Sequence, residues 1–217
     1  QAYSYQQGAS PSLSLSDNNT SIVAGIREYM PGDRLQWIDW KATARKDAIM
    51  TKEFEQEKSI DMLVVLDAGS HASRNMIAFE GAVELADSLL AKLQKKSSQL
   101  MLKTLADRTA SFSFQLNKAQ MDNIRRHLST IMPAENQTFS KQLAQEQHKL
   151  PAGLIMMVVT TSMDEGVLEA LVQMQLKAKR VILFFIAPST QLTSEVRKLL
   201  KQLDYRGVMV NVLTEAE

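Results

Sequence analysis

The sequence predicts an α/β fold: a doubly wound, mostly parallel sheet with helices on both faces, preceded by a small β-rich collar. Three observations carry this. Residues 60–66, 154–159 and 181–186 are nearly continuous apolar runs of strand length, the pattern of strands covered on both faces. Apolar residues at helical spacing separate such runs, most clearly Phe79, Ala82, Val83, Ala86, Leu89, Leu90 and Leu93, which form one stripe on a helix. The first two runs end in short polar loops, 67–71 and 160–166, as strand-to-helix crossovers require.

In order along the chain, residues 1–20 are rich in Gln, Ser and Asn and read as a flexible lead-in. Within them Tyr3 and Tyr5 alternate in the manner of a short edge strand. Residues 21–58 are the collar. It has a short strand at 21–27 and a turn at Met30-Pro31-Gly32-Asp33, with proline at the fixed-φ position and glycine at the permissive one. A loosely helical stretch follows at 35–45, then a half-exposed strand at 49–57 with Met50 and Phe54 on one face and Thr51, Glu53, Glu55 and Glu57 on the other,. The sheet domain occupies 59–217. Its strands are expected at 60–66, 98–105, 110–116, 154–160, 181–186 and 208–213, and Met156-Met157 is core filling,. Its helices are expected after a Ser73 or Asn75 cap, at 119–131, within 135–149, at 167–177 and at 193–203,.

Composition excludes several classes. The 217 residues are 45% hydrophobic and 23% charged with a net charge of +1, so the whole-molecule field draws in neither nucleic acid nor an anionic membrane. There is no cysteine, which removes disulfides, thiolate metal sites and thiol nucleophiles. No apolar run approaches the ~20 residues of a membrane-spanning helix. There is no Walker A loop and no dinucleotide-binding glycine fingerprint,. Trp37 and Trp40 among Lys41, Arg45 and Lys46 suggest base stacking. However, Arg27, Arg34, Lys41, Arg45, Lys46, Lys52 and Lys58 are balanced by Glu28, Asp33, Asp39, Asp47, Glu53, Glu55 and Glu57. A nucleic-acid face is basic. The balance fits ion pairs instead, such as Arg27 or Arg45 with Asp33 or Asp39, in a collar that packs its tryptophans on the sheet domain.

In doubly wound sheets the ligand crevice lies beyond the carboxyl ends of the strands. Three oxygen-rich segments are placed to meet there: 67–71, 136–140 and 160–164. One carboxylate with hydroxyls and waters suits a hard divalent ion such as magnesium. The same residues also suit helix caps and loop ties.

The collar carries a resemblance. Gly25-Ile26-Arg27-Glu28-Tyr29, Pro31-Gly32-Asp33, Ile38-Asp39-Trp40-Lys41-Ala42-Thr43-Ala44-Arg45 and Lys52-Glu53-Phe54-Glu55 resemble the signature of the bacterial family called domain of unknown function 58. The remainder is similar to a von Willebrand factor type A domain. The resemblance implies a metal-ion-dependent adhesion site and a non-enzymatic interaction or assembly module. It implies a cytoplasmic part of a membrane-anchored protein, with the tether upstream. It also implies a MoxR-type AAA+ ATPase as partner.

The adhesion-site motif in that resemblance is Asp-x-Ser-x-Ser, with a Thr and an Asp from later loops. Asp67 falls on its first position, but Gly69 and His71 fall where the serines belong, and Ser70 and Ser73 are out of register. Thr138 stands for the threonine and Asp164, or less directly Ser162, for the later aspartate. The expected cation ligands are therefore Asp67, Thr138 and Asp164. Magnesium or manganese is expected to bind weakly or not at all, because glycine offers no side-chain oxygen and imidazole is a poor ligand for hard ions. The expected partner surface is Asp67, Gly69, Ser70, His71, Thr138, Ser162 and Asp164. Two rival readings use the same residues. One is a metal-assisted hydrolase built on His71, against which Ser70 lacks a nucleophile elbow,. The other is a purely structural domain.

Overall fold

The computed structural model describes residues 3–5, 23–54, 61–94, 97, 99–114, 118–189 and 191–215. The chain divides into two compact units, Ala9–Ser59, and Gln1–Gly8 with Ile60–Glu217.

The larger unit is a seven-stranded sheet. Strand β1 is Tyr3–Tyr5, so part of the stretch expected to be a flexible lead-in is an edge strand. It pairs antiparallel with the last strand of the chain, and the rest of 1–20 lies outside the described residues. In the collar, β2 is Val23–Glu28 and β3 is Met50–Phe54. The sheet continues with β4 (Met62–Asp67), β5 (Leu100–Leu105), β6 (Thr109–Phe114), β7 (Ile155–Thr160), β8 (Arg180–Ile186) and β9 (Met209–Glu215). Its order is β1-β9-β8-β7-β4-β5-β6. Strands β5, β4, β7, β8 and β9 are parallel, and β6 returns antiparallel beside β5.

Every residue of β4 is buried, which is the physical content of its unbroken apolar sequence. Its side chains alternate between two cores. Leu63 and Val65 join Met156, Val158, Leu183 and Phe185 on one face. Met62, Val64 and Leu66 join Leu102, Met157 and Phe184 on the other. The first face is covered by α4 (Phe139–Glu146), α5 (Glu165–Gln175) and α6 (Ser194–Tyr205). The second is covered by α2 (Met76–Leu93) and α3 (Lys118–Leu128). Asn75 rather than Ser73 caps α2, accepting from the Ala78 N–H at 3.1 Å. Helix α3 ends at Leu128, not at Ile131 as expected. The Ser129 and Thr130 hydroxyls turn back to donate to the Arg126 carbonyl, a local alternative to continuing the helix.

Helix α4 is tied to β5 by polar contacts. Lys103 on β5 and Lys149 both pair with Glu146, and the Gln142 amide donates to the Ala106 carbonyl. Burial pushes the Glu146 carboxyl up, but the two lysines together hold it below its ordinary value. These contacts fix the middle and end of α4 against β5.

The smaller unit is the β2–β3 hairpin and its insert. The 35–45 stretch is not one helix. A 3-10 turn at Leu35–Trp37 and one turn of helix α1 (Trp40–Thr43) are separated by Ile38 and Asp39. The chain breaks there because Ile38 bridges to Thr51 and the Asp39 N–H donates to the Met50 carbonyl at 2.8 Å. Asp39 then caps α1 at the Ala42 N–H instead of pairing with an arginine. The expected alternation of β3 also fails. Both Met50 and Thr51 are buried while Lys52 and Glu53 are exposed, because the insert covers one end of the strand and the Thr51 hydroxyl donates to the Trp37 carbonyl. Residues 55–57 lie outside the described residues.

Candidate functional site

The strand order reverses at β4, whose two neighbours are β5 and β7, so the crevice opens beyond their carboxyl ends. Asp67 is the last residue of β4 and is 1% exposed. Its Oδ1 accepts from the Gly69 N–H at 2.8 Å. Its Oδ2 accepts from the hydroxyl of Thr160, the last residue of β7, and lies 3.0 Å from His71 Nε2. Thr160 is itself fully buried. A buried carboxylate needs this many donors to be tolerated.

His71 sits on a 3-10 turn, Ser70–Arg74. Its Nε2 also lies 3.2 Å from Thr161 Oγ1, and its side chain is 23% exposed. A carboxylate accepts only, so the nitrogen facing Asp67 is the protonated one.

Gly69 has a steric reason to be glycine. A Cβ there would lie 2.9 Å from the Phe139 backbone N, and 3.1 Å from both Asp67 Oδ1 and His71 Cε1. The first expected serine position is thus closed by the start of α4. The Ser70 N–H donates to the Gln137 carbonyl at 2.8 Å, which stitches the same two loops together. Thr138 holds the cap position of α4, is exposed and makes no side-chain cap bond. Asp164 caps α5 through the Val167 N–H at 2.8 Å. It faces the start of α4, where a Cβ on Gly166 would lie 2.9 Å from Ser140 Cβ and 3.3 Å from Asp164 Oδ1. The Ser162 N–H donates to Thr160 Oγ1 at 3.0 Å.

All three predicted segments therefore converge. Gly69 and His71 contact Asp67 directly, Ser70 ties their loop to Gln137, Ser162 joins them through Thr160, and Thr138 and Asp164 line the rim. Thr160, Thr161, Gln137, Ser140 and Gly166 are participants that the sequence reading did not single out. The signal for the first two was their place in the oxygen-rich segment 160–164 that ends an apolar run.

As a cation shell the arrangement does not fit. Asp67, Thr138 and Asp164 are the oxygen ligands a divalent ion would use. Yet both Asp67 oxygens are taken by protein donors, and Asp164 is engaged as a cap.

The signature residues of the collar serve its own geometry. Arg27 donates to Asp33 through two bonds of 2.8 Å. Asp33 also accepts from the Met30 N–H and closes the turn by donating its own N–H to the Met30 carbonyl. Gly32 sits at φ 111, a region glycine alone adopts freely. The Tyr29 N–H donates to the Ile49 carbonyl. Trp40 is 69% exposed. Trp37 has the Arg34 guanidinium over its ring at 5.2 Å.

The hydrogen bonds from Arg27, then from Met30, hold the Asp33 carboxyl below its ordinary value. A carboxyl depressed in the folded state contributes stability above its unfolded pKa, which is lost as pH falls through the folded value. In Arg27→Leu, carboxyl-detected NMR is expected to show the Asp33 titration moved up toward the ordinary aspartate value. An unshifted Asp33 would remove the ion pair from the account.

Strand order, flanking helices and an oxygen-rich crevice at the switch point define an α/β domain of the von Willebrand factor A kind. The solved structures similar to it include the PilB minor pilin from Streptococcus sanguinis, at a TM-score of 0.50 and 8% identity over 77% of this chain and 60% of that one. A von Willebrand factor type A protein from Catenulispora acidiphila aligns at a TM-score of 0.48 and 9% identity, over 77% of this chain and 40% of that one. At such identities the likeness concerns the fold alone. The chain belongs to the family described as "Protein of unknown function DUF58", whose profile matches residues 25–209. It is also 31% identical over 136 residues to the uncharacterized protein YeaD of Bacillus subtilis (strain 168), across 59% of this chain. The match spans about a third of that relative's length, 33%.

Proposed function

We propose that this chain is a non-enzymatic docking module whose contact surface is the crevice around Asp67, His71, Thr138, Ser162 and Asp164. The observation that carries the reading is how His71 is used. One nitrogen, Nε2, faces both the Asp67 carboxylate and the Thr161 hydroxyl. A general-base relay needs the carboxylate on one ring nitrogen and the nucleophile on the other. Thr161 is moreover buried. The arrangement supports a rigid platform with an exposed polar rim at Gln137, Thr138 and Asp164 over a hydrolytic site.

The partner we propose is a MoxR-type AAA+ ATPase, acting with this chain in the assembly or maturation of other proteins. This follows from family resemblance. In the same reading the chain is the cytoplasmic part of a membrane-anchored protein. Among the described residues no helix is long and apolar enough to cross a membrane; the upstream tether belongs to the family resemblance. The test is binding of the purified MoxR-type ATPase from the same genome to immobilised chain, with and without ATP. Capture is expected, and Thr138→Arg at the exposed rim is expected to weaken it about tenfold or more while leaving the melting temperature unchanged. No capture in either nucleotide state would overturn the partner. Capture indifferent to Thr138→Arg and to Gln137→Arg would move the contact off the crevice. Turnover on a phosphoester and peptide panel, lost in His71→Ala, would favour the hydrolase instead.

A further inference from the structure

We infer that the imidazole of His71 takes the place of the cation, so that the crevice is an adhesion site closed from within and independent of divalent metal. The inference concerns the site itself and stands whichever partner docks there. In a metal-dependent site, the aspartate at the end of the central strand directs its carboxylate at the ion. Here Asp67 is 1% exposed and three of the roughly four acceptor positions of its carboxylate are used by protein donors: the Gly69 N–H on Oδ1, and the Thr160 hydroxyl and His71 Nε2 on Oδ2.

The donors are built in, not incidental. Gly69 brings its N–H onto Asp67 Oδ1 in a space where any side chain would meet the Phe139 backbone. Thr160 is anchored in the neighbouring strand and buried. His71 is held by Asp67 and Thr161 together. Of the three, only the imidazole reaches in from the solvent side, with 23% of its side chain exposed. It therefore blocks the approach by which an ion would reach Asp67 Oδ2. A hard ion would have to displace a charge-assisted hydrogen bond and would gain no oxygen from residue 69 or 71.

Replacing the imidazole with a small oxygen donor should then open the site. The experiment is calorimetric titration of manganese alone into the wild-type chain, His71→Ser, His71→Ala and the double variant Asp67→Asn/His71→Ser, with melting temperatures taken in manganese and in chelator. The wild-type melting temperature is expected to be the same in both. His71→Ser is expected to bind manganese at least roughly tenfold more tightly than wild type, with a melting temperature that rises with manganese concentration. The gain should be smaller in His71→Ala and lost in the double variant. Manganese binding by wild type as tight as that of His71→Ser would overturn the inference. So would a folded His71→Ser that gains nothing. A reading free of any variant's folding is the nitrogen spectrum of the wild-type imidazole. Nε2 is expected protonated and unmoved by excess magnesium, and a magnesium-induced shift at that nitrogen would overturn the inference by itself.

Discussion

Asp67→Ala is expected to lower the unfolding free energy of the chain by about 3–5 kcal/mol, since a buried donor left without its acceptor costs about 1–3 kcal/mol and three are affected here. The Gly69 N–H, the Thr160 hydroxyl and His71 Nε2 all point at this one carboxylate. Their costs do not simply add, because the three share a partner and His71, on the solvent side, recovers some hydration. Asp67→Asn keeps one acceptor but turns an amide N–H toward donors, so a loss of about 2 kcal/mol is expected. Denaturant midpoints followed by far-UV circular dichroism check both values. An exposed adhesion-site aspartate would behave differently, with alanine costing within about 0.5 kcal/mol. That outcome would show that the carboxylate is not spent inside the fold.

Phe139→Ala is the second large effect, expected to cost about 3–5 kcal/mol as a buried aromatic truncated in a packed core. Phe139 is 2% exposed and opens α4, in the core shared by Leu63, Val65, Leu143 and Val167. Its backbone N is the atom that a Cβ on Gly69 would strike at 2.9 Å. Truncation therefore removes the anchor that presses the start of α4 against the Asp67 loop. A fall in melting temperature of about 10 °C is expected for a unit of this size, and the crevice should bind its partner more weakly even where the chain is still folded. Met132→Ala is the control, because that side chain is 66% exposed and its loss should change stability by less than about 0.5 kcal/mol. Equal effects from the two substitutions would dissolve the link between core packing and the site.

Much of the sheet domain was legible in the sequence. The runs that became β4, β7 and β8 are apolar at every interior position because both faces of each strand are covered, and such coverage leaves no alternation to misread. The stripe that became α2 was legible for the complementary reason, since one buried face imposes a helical period. The insert between β2 and β3 was misread. Leu35, Ile38, Ala42 and Ala44 suggest a helix by spacing, but the Asp39 N–H bonds to Met50 in the other strand. A contact between residues eleven apart in the chain overrides a weak local preference. The alternation of Tyr3 and Tyr5 already suggested the edge strand, but not its partner β9, because an edge strand is specified by the strand it joins more than by its own composition.

At the site, local chemistry was visible and connectivity was not. The chain alone shows a carboxylate at the end of a buried strand, glycine and histidine where two serines were expected, and two later oxygen-rich loops. The two serines are what the family resemblance leads one to expect, and with that resemblance the residues implied a weakened cation site. Why Gly69 is glycine emerges only in three dimensions, from a backbone atom of Phe139, seventy residues away in the chain. That the Asp67 carboxylate is answered by Thr160 depends on β4 and β7 lying side by side, and that His71 turns inward depends on the 3-10 turn that follows. Periodicity and composition record which face of an element is buried, because solvent acts on each residue separately. Which donor meets which acceptor depends on how distant elements pack, and no local pattern in the chain records that.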